Sequence, residues 1–403
     1  MERVKGQPET AAIADLIHQT ARECYFNGLR DEARMLSQKS MKIAESVGDV
    51  HIQAESLITL ELAVHGNNYE ESIALLNQAI GLAESAGLIA IAARAYHNLG
   101  VRLSGDLGDH RGARENFLKS ADLDHRMGRA SGELWRLSLA TFQSLNLGEL
   151  AEVEEILPSL RLLKSQIAEP GTGGLYFSGL EATLLRYRGE LDEAIPHTRV
   201  NQKLTREKGD LQTLGALNNL LADMMIELER WDEAEQALKE STEIGDRLIG
   251  AAVPPRCQLS TVYARQGRVD DAKQILEEAR AKARDNPPPM QSFWLSLASA
   301  RLASAQTQWQ EAFAAYENAT KFLRERGIRW IYAQTLREWA GAHLARNAPG
   351  DRERARELLS EALEEFEEMK VEKYAEKVRQ GLRADVFQSQ SAGDDQAKQG
   401  VAM

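Results

Sequence analysis

The side chains with most chemical capacity in this 403-residue chain are its eight histidines, two cysteines and many carboxylates, and their spacing limits what they can do. The histidines, at 18, 51, 65, 97, 110, 125, 197 and 343, form neither a His-Glu-x-x-His pair on one helix face nor a Cys/His set with zinc spacing. Cys24 and Cys257 are too far apart in sequence for a metal knuckle or a disulfide framework. Acidic pairs such as Asp192–Glu193 and Asp232–Glu233 open Ala-rich amphipathic runs, where carboxylates favour the positive end of the helix dipole. They read as helix starters rather than as a general acid and base. The glycine cluster Gly171–Thr172–Gly173–Gly174 is followed by Leu175 instead of Lys, so it makes no phosphate-binding loop, and no Ser sits in a Gly-x-Ser-x-Gly elbow. The inventory predicts no catalytic residue, no metal and no cofactor, and a non-enzymatic chain that works by binding.

The elements that would position a binding surface repeat. A small residue returns about every forty positions at the start of an Ala- and Leu-rich stretch: Ala33, Ser72, Ala113, Val153, Ala194, Ala234, Ala272, Ala312 and Ala355. Five positions before it stands Gly28, Gly108, Gly148, Gly189, Gly267 or Gly350, and in the second repeat Asn67 fills that slot. Fifteen positions after it stands Gly48, Gly87, Gly128, Gly209 or Gly327. Gly and Asn tolerate a positive φ, so each repeat reads as helix, turn, helix, stop. The apolar spacing between the glycines is helical, as in Ala355, Leu358, Leu359, Ala362, Leu363 and Phe366. A small anchor lets the two helices of a repeat approach closely, which a larger side chain would prevent at a cost of about 1–3 kcal/mol.

The pattern Tyr263, Gly267, Ala272, Ala279, with Gly189–Leu191–Asp192–Glu193–Ala194 and Trp231–Asp232–Glu233–Ala234, resembles the tetratricopeptide repeat over about residues 11 to 384. It departs from the 34-residue standard in its longer second helix and in lacking a regular closing Pro. The long period and the run Arg354–Ala355–Arg356–Glu357–Leu358–Leu359 are most similar to the sensor arrays of bacterial signal-transduction ATPases of the maltose-regulator type, although no NTPase or effector domain is found. The resemblance implies an all-α fold, a right-handed superhelical solenoid of about nine helix-turn-helix repeats. The expected organisation is an N-terminal tail over 1–10, the array over 11–385 and a disordered tail over 386–403, where Gln, Ser, Gly and Asp replace apolar residues.

Composition agrees: 43% apolar residues supply a core, and only 6% aromatics suit close helix stacking. A formal charge of −12 argues against nucleic acid as a partner, because phosphate neutralisation needs a basic face. The cations Arg111, Arg114, Lys119, Arg126, Arg129 and Arg136 are interleaved with Glu115, Asp122, Asp124 and Glu133, the pattern of a solvated helix face. The absence of an apolar leader or of an 18-residue apolar run predicts a cytoplasmic protein without a membrane partner. The fourth repeat is least regular, with Val153 as anchor, Pro158 within its second helix and a long exit; residues 165–174 read either as a hinge between a four-repeat and a five-repeat arm or as the loop of a degenerate repeat. Pro254–Pro255 and Pro287–Pro288–Pro289 read as helix openers.

In such solenoids the first helix of each repeat lines the concave face. The resemblance places there Asp15, His18, Arg22, Arg94, His97, Asn98, Trp135, Asn219, Asp223, Gln258, Trp294, Arg301, Arg337 and Glu338. Asn and Arg suit a peptide backbone or carboxylate, and Trp an apolar anchor, while residues such as Trp135 and Trp294 are more often core residues filling the helix interface. The charged run Lys373, Glu376, Lys377 and Arg379 reads as a terminal cap. Two functions follow: an interaction scaffold holding a protein or extended peptide, or a ligand-responsive sensor subunit of a bacterial signalling or transcription-control system.

Overall fold

The nine anchors each sit at the fourth or fifth residue of the second helix of a pair, and each is 0% exposed. In this computed structural model, which describes residues 9–65, 68–168, 171–248, 252–283 and 285–383, the chain is an all-α solenoid of paired helices. The pairs are α1 (Ala11–Phe26) with α2 (Arg30–Ser46), α3 (Val50–His65) with α4 (Tyr69–Ser85), α5 (Ile89–Arg102) with α6 (His110–Arg126), and α7 (Ala130–Asn146) with α8 (Leu150–Ser165). They continue as α9 (Thr172–Tyr187) with α10 (Leu191–Lys208), α11 (Leu211–Glu227) with α12 (Trp231–Arg247), and α13 (Val253–Arg265) with α14 (Val269–Lys282). The last pairs are α15 (Pro289–Ala305) with α16 (Trp309–Arg326) and α17 (Arg329–Arg346) with α18 (Asp351–Glu368), followed by α19 over 372–383. A π-helical turn, Leu103–Leu107, extends α5.

The glycines read as turns and stops all have φ between 65° and 84°. The turn conformation is kept even where glycine is missing: Glu229 and Thr307, five before their anchors, and Lys370, fifteen after Ala355, have φ of 56°, 58° and 60°. The repeat therefore dictates the backbone, and three residues with a Cβ accept a left-handed conformation to satisfy it. Asn67 and the tail over 386–403 lie outside the described residues.

Asp192–Glu193 and Asp232–Glu233 occupy the first turns of α10 and α12, as helix starters do. Pro254 and Pro255 fall in the first turn of α13 and Pro289 opens α15, while α8 runs through Pro158. Gly173 lies in the first turn of α9, and a Cβ there would meet the Ser131 carbonyl oxygen at 2.5 Å. This glycine thus serves the close packing of α9 on α7.

The described residues divide into two compact bodies: 9–143, 157–177 and 285–290 form one, and 144–156, 178–283 and 291–383 the other. The core of the first body includes Ala54, Leu57, Leu76, Ala79, Tyr96 and Leu99. That of the second includes Ala194, Met224, Met225, Leu238, Val262 and Leu276. In the second body the chain returns on itself: Trp330 of α17 stacks on Tyr187 of α9 with ring centres 3.9 Å apart and 10° between planes, and meets Tyr374 of α19 edge-on at 4.8 Å. Tyr374 donates its hydroxyl proton to Glu227 Oε2 at 2.6 Å and lies 3.0 Å from the Arg186 carbonyl oxygen. Gly148 and Gly189 present bare backbone to Met369 and Lys373, which approach to 2.7 and 2.8 Å of where a Cβ would stand. The 372–383 helix expected as a cap is thus built into the second body.

Candidate functional site

Polar side chains on the first helices bond to one another one repeat apart, because stacking sets equivalent positions of successive first helices side by side. In the second body, Arg186 of α9 donates from Nη1 to Asp223 Oδ2 at 2.8 Å and from Nε to Glu227 Oε1 at 2.6 Å, both on α11. Gln258 of α13 donates to the other Asp223 oxygen at 2.9 Å. Arg301 of α15 grips Glu338 of α17 with two bonds of 2.7 and 2.9 Å, and reaches back to Thr261 of α13 at 3.2 Å. Burial opposes the charge on Arg186, but Glu227 and Asp223 outweigh it and hold its pKa above the ordinary range. Burial likewise disfavours the Glu338 carboxylate, yet Arg301 keeps its pKa below the usual value.

Beside this ladder lies a cavity of about 630 Å³, within the range of small-molecule and peptide pockets. Its walls come from first helices α11, α13, α15 and α17, from α19, and from second helices α12 and α16, whose Trp231, Trp309 and Tyr316 supply aromatic surface. Polar groups enter it at Thr261, Gln334 and Arg337. Burial lowers the pKa of Arg337, partly offset by Glu338, and its hydrogen bond is to a neutral group, from Nη1 to Gln334 Oε1 at 2.7 Å. Gly341, in the middle of α17, faces open space: a Cβ added there would meet nothing within 4 Å.

The first body carries its own ladder. Glu55 of α3 pairs with Arg94 of α5 and lies 3.7 Å from His18 Nε2 of α1. Burial acts against the Glu55 charge, but the Arg94 hydrogen bond overcomes it and lowers its pKa, whereas burial keeps the His18 pKa down. Arg22, Glu55, Arg94 and Asn98 line a smaller cavity of about 180 Å³. Deeper, the wholly buried Glu61 accepts from Ser72 Oγ at 2.7 Å and from Arg102 Nε at 2.8 Å, and His65 Nε2 lies 2.9 Å from Asp106 Oδ2 and 3.0 Å from Arg102 Nη1. Ser72, the polar anchor among alanines, is explained by this carboxylate.

The residues named from sequence thus fall in different settings. Arg301, Arg337 and Glu338 line the larger cavity, and Arg22, Arg94 and Asn98 the smaller one. His18 touches Glu55, and Asp15 is exposed, accepting a bond from Gln19. Asp223 and Gln258 are joined to each other, while Asn219 accepts from Ser241 Oγ of α12 at 2.7 Å. His97 packs against Trp135 and Phe117 at ring-centre distances of 4.5 and 5.7 Å, and Trp135 also meets Tyr176 at 5.9 Å. Trp294 is half-buried against the second core and Phe293. Glu227, Gln334 and Tyr374 escaped the sequence reading, and Lys377 was read only as part of a cap; opposite charges one period apart, as in Glu61 and Arg102 or Arg186 and Glu227, are the signal that finds the ladder. Of the interleaved cations, Arg126 pairs with Asp122 one turn away at 3.9 Å on an exposed face as expected, whereas Arg136 of α7 pairs at 2.6 Å with the buried Asp124 of α6, between helices rather than along a solvated face.

Among the described residues, no cluster of three metal-ligating side chains occurs and no helix is long and apolar enough to cross a membrane. No family model and no curated protein matches the chain. Among solved structures it is similar to a Rap protein complexed with competence and sporulation factor, at 12% identity and a TM-score of 0.55, covering 94% of this chain and 99% of that one. Aspartyl phosphate phosphatase F from Bacillus subtilis matches at 12% identity and a TM-score of 0.48, over 91% of this chain and 96% of its own. NprR in complex with its cognate peptide NprX matches at 10% and 0.46, over 86% and 98%. Identity this low speaks to fold alone: the chain is a tetratricopeptide-like helical-repeat solenoid.

Proposed function

We propose that this chain is a non-enzymatic interaction scaffold that holds an extended peptide, free or as part of a protein, in the larger cavity. The observation that carries the reading is the cavity itself: about 630 Å³, with first helices whose polar side chains are fixed by the ladder on one side and the aromatic surface of α12 and α16 beside them. Side chains already ordered by neighbours lose little entropy on binding, which favours a long, flexible ligand. The Rap protein of the same fold was solved with competence and sporulation factor, which is compatible with this use of the solenoid.

Gly341→Leu tests it. The new side chain enters open space on α17 and replaces a poor helix former, so the melting temperature stays level or rises by the equivalent of about 0.5–1 kcal/mol. Binding of peptides selected by display on the full chain should fall at least tenfold. Undiminished binding by a folded Gly341→Leu protein would place the peptide elsewhere.

The second reading, a sensor array like those of maltose-regulator ATPases, rests on the long repeat and on the cavity's being walled by both α11 and α19. An occupant touching both would bias their spacing. A ligand-dependent change in small-angle scattering supports this reading, and an identical profile with peptide bound leaves the passive scaffold.

A further inference from the structure

The charges around the larger cavity do not balance. Its lining holds Arg265, Arg301, Arg337 and Lys377 against Glu227, Glu229 and Glu338. Two of these carboxylates already have a cationic partner, Glu338 in the two-pronged grip of Arg301 and Glu227 in Arg186, which it shares with Asp223 behind the lining. Glu229 is exposed in the turn between α11 and α12. Arg301 is used up in its pair. Arg265, Arg337 and Lys377 remain, and none makes an ion pair among the described residues: Arg337 bonds to the Gln334 amide, Lys377 lies 5.3 Å from the Tyr374 ring centre, and Arg265 is exposed. With four cations against three carboxylates, the lining is net positive in a chain of net charge −12, and Arg337 is the half-buried cation among those left without an ion pair.

We propose that the cavity recognises a carboxylate on the peptide it holds, seated on Arg337 with Arg265 and Lys377 beside it. The inference rests on the peptide reading above and adds the chemistry of the ligand. Arg337 is the centre because it is half-buried and has only a neutral hydrogen-bond partner, leaving guanidinium donors for the planar fork that matches a carboxylate. Gln334, holding Nη1, fixes the direction of that fork. The carboxylate comes either from an acidic side chain or from the peptide's C-terminus.

The experiment uses the full chain immobilised and four hexapeptide pools: with Asp and Glu, or with Asn and Gln in their place, each with a free or an amidated C-terminus. The retained fraction is read by mass spectrometry at low and moderate salt. The neutral, amidated pool should be retained at least tenfold less than a carboxylate-bearing one, and the difference should shrink with salt. Arg337→Gln should erase it and Arg337→Lys restore part of it, with melting curves unchanged. Retention confined to the acidic pools assigns a side-chain carboxylate, and retention confined to the free-acid pools assigns the C-terminus. Equal retention of all four pools, blocked by Gly341→Leu but unmoved by Arg337→Gln, overturns carboxylate recognition and leaves the peptide reading standing. Retention of none overturns both.

Discussion

At the scale of single residues, the enclosed polar groups decide how the protein responds to pH. His97 packs between Phe117 and Trp135, and burial, helped by Arg136 and Arg102, lowers its pKa to about 3. A histidine held neutral in the fold binds a proton more readily once unfolded, so it costs stability as pH falls below the unfolded value near 6.5. Between pH 7 and pH 5 that cost is about 1–2 kcal/mol. We expect His97→Gln to lose less stability over this interval than the parent does, measured by urea unfolding at both pH values. Parallel losses in the two proteins would show that His97 is protonated in the fold. Asp351 acts in the opposite sense from the start of α18: it accepts from Arg346, from His343 at 2.6 Å and from the Ala348 amide at 2.7 Å, and these bonds hold its pKa far below normal. Its contribution is present above the unfolded pKa near 4 and fades in stronger acid.

At the scale of elements, the turns are more uniform than the residues that make them. Thr307 and Lys370 are exposed and held at φ of 58° and 60° in slots that other repeats fill with glycine. A residue with a Cβ costs about 1–2 kcal/mol there, and glycine returns part of the gain through its greater unfolded freedom. Thr307→Gly and Lys370→Gly should each stabilise the protein by about 0.5–1 kcal/mol, read as a higher denaturation midpoint with unchanged slope. A lower midpoint would mean that contacts of the native side chain outweigh backbone strain.

At the scale of the molecule, a solenoid held only by neighbouring repeats would transmit a local defect only to its neighbours. The second body departs from that rule, since Trp330 joins α9, α17 and α19 across long stretches of sequence. Trp330→Ala should cost about 3–5 kcal/mol and raise amide exchange in α9 and α19 together with α17. Loss of protection confined to α17 and α18 would mean that the closure carries little of the stability. Because Tyr374 and Lys377 also line the cavity, the same closure completes the proposed binding site.

The sequence by itself determined the repeat. The period, the anchors and the glycines required all-helical pairs, since only small residues let paired helices meet and only a left-handed residue turns them; all nine anchors are fully enclosed. It also carried the helix starters Asp192–Glu193 and Asp232–Glu233. It named Arg301, Arg337 and Glu338 as first-helix residues, but not that Arg301 and Glu338 neutralise each other while Arg337 is left with an amide. Pairing is decided by the register of adjacent first helices, which the hydrophobic pattern constrains only to a face. The return of α19 to α9 depends on the accumulated rotation of successive pairs, a sum of small angles that no local motif encodes. The cavity and its charge imbalance are therefore products of tertiary structure alone.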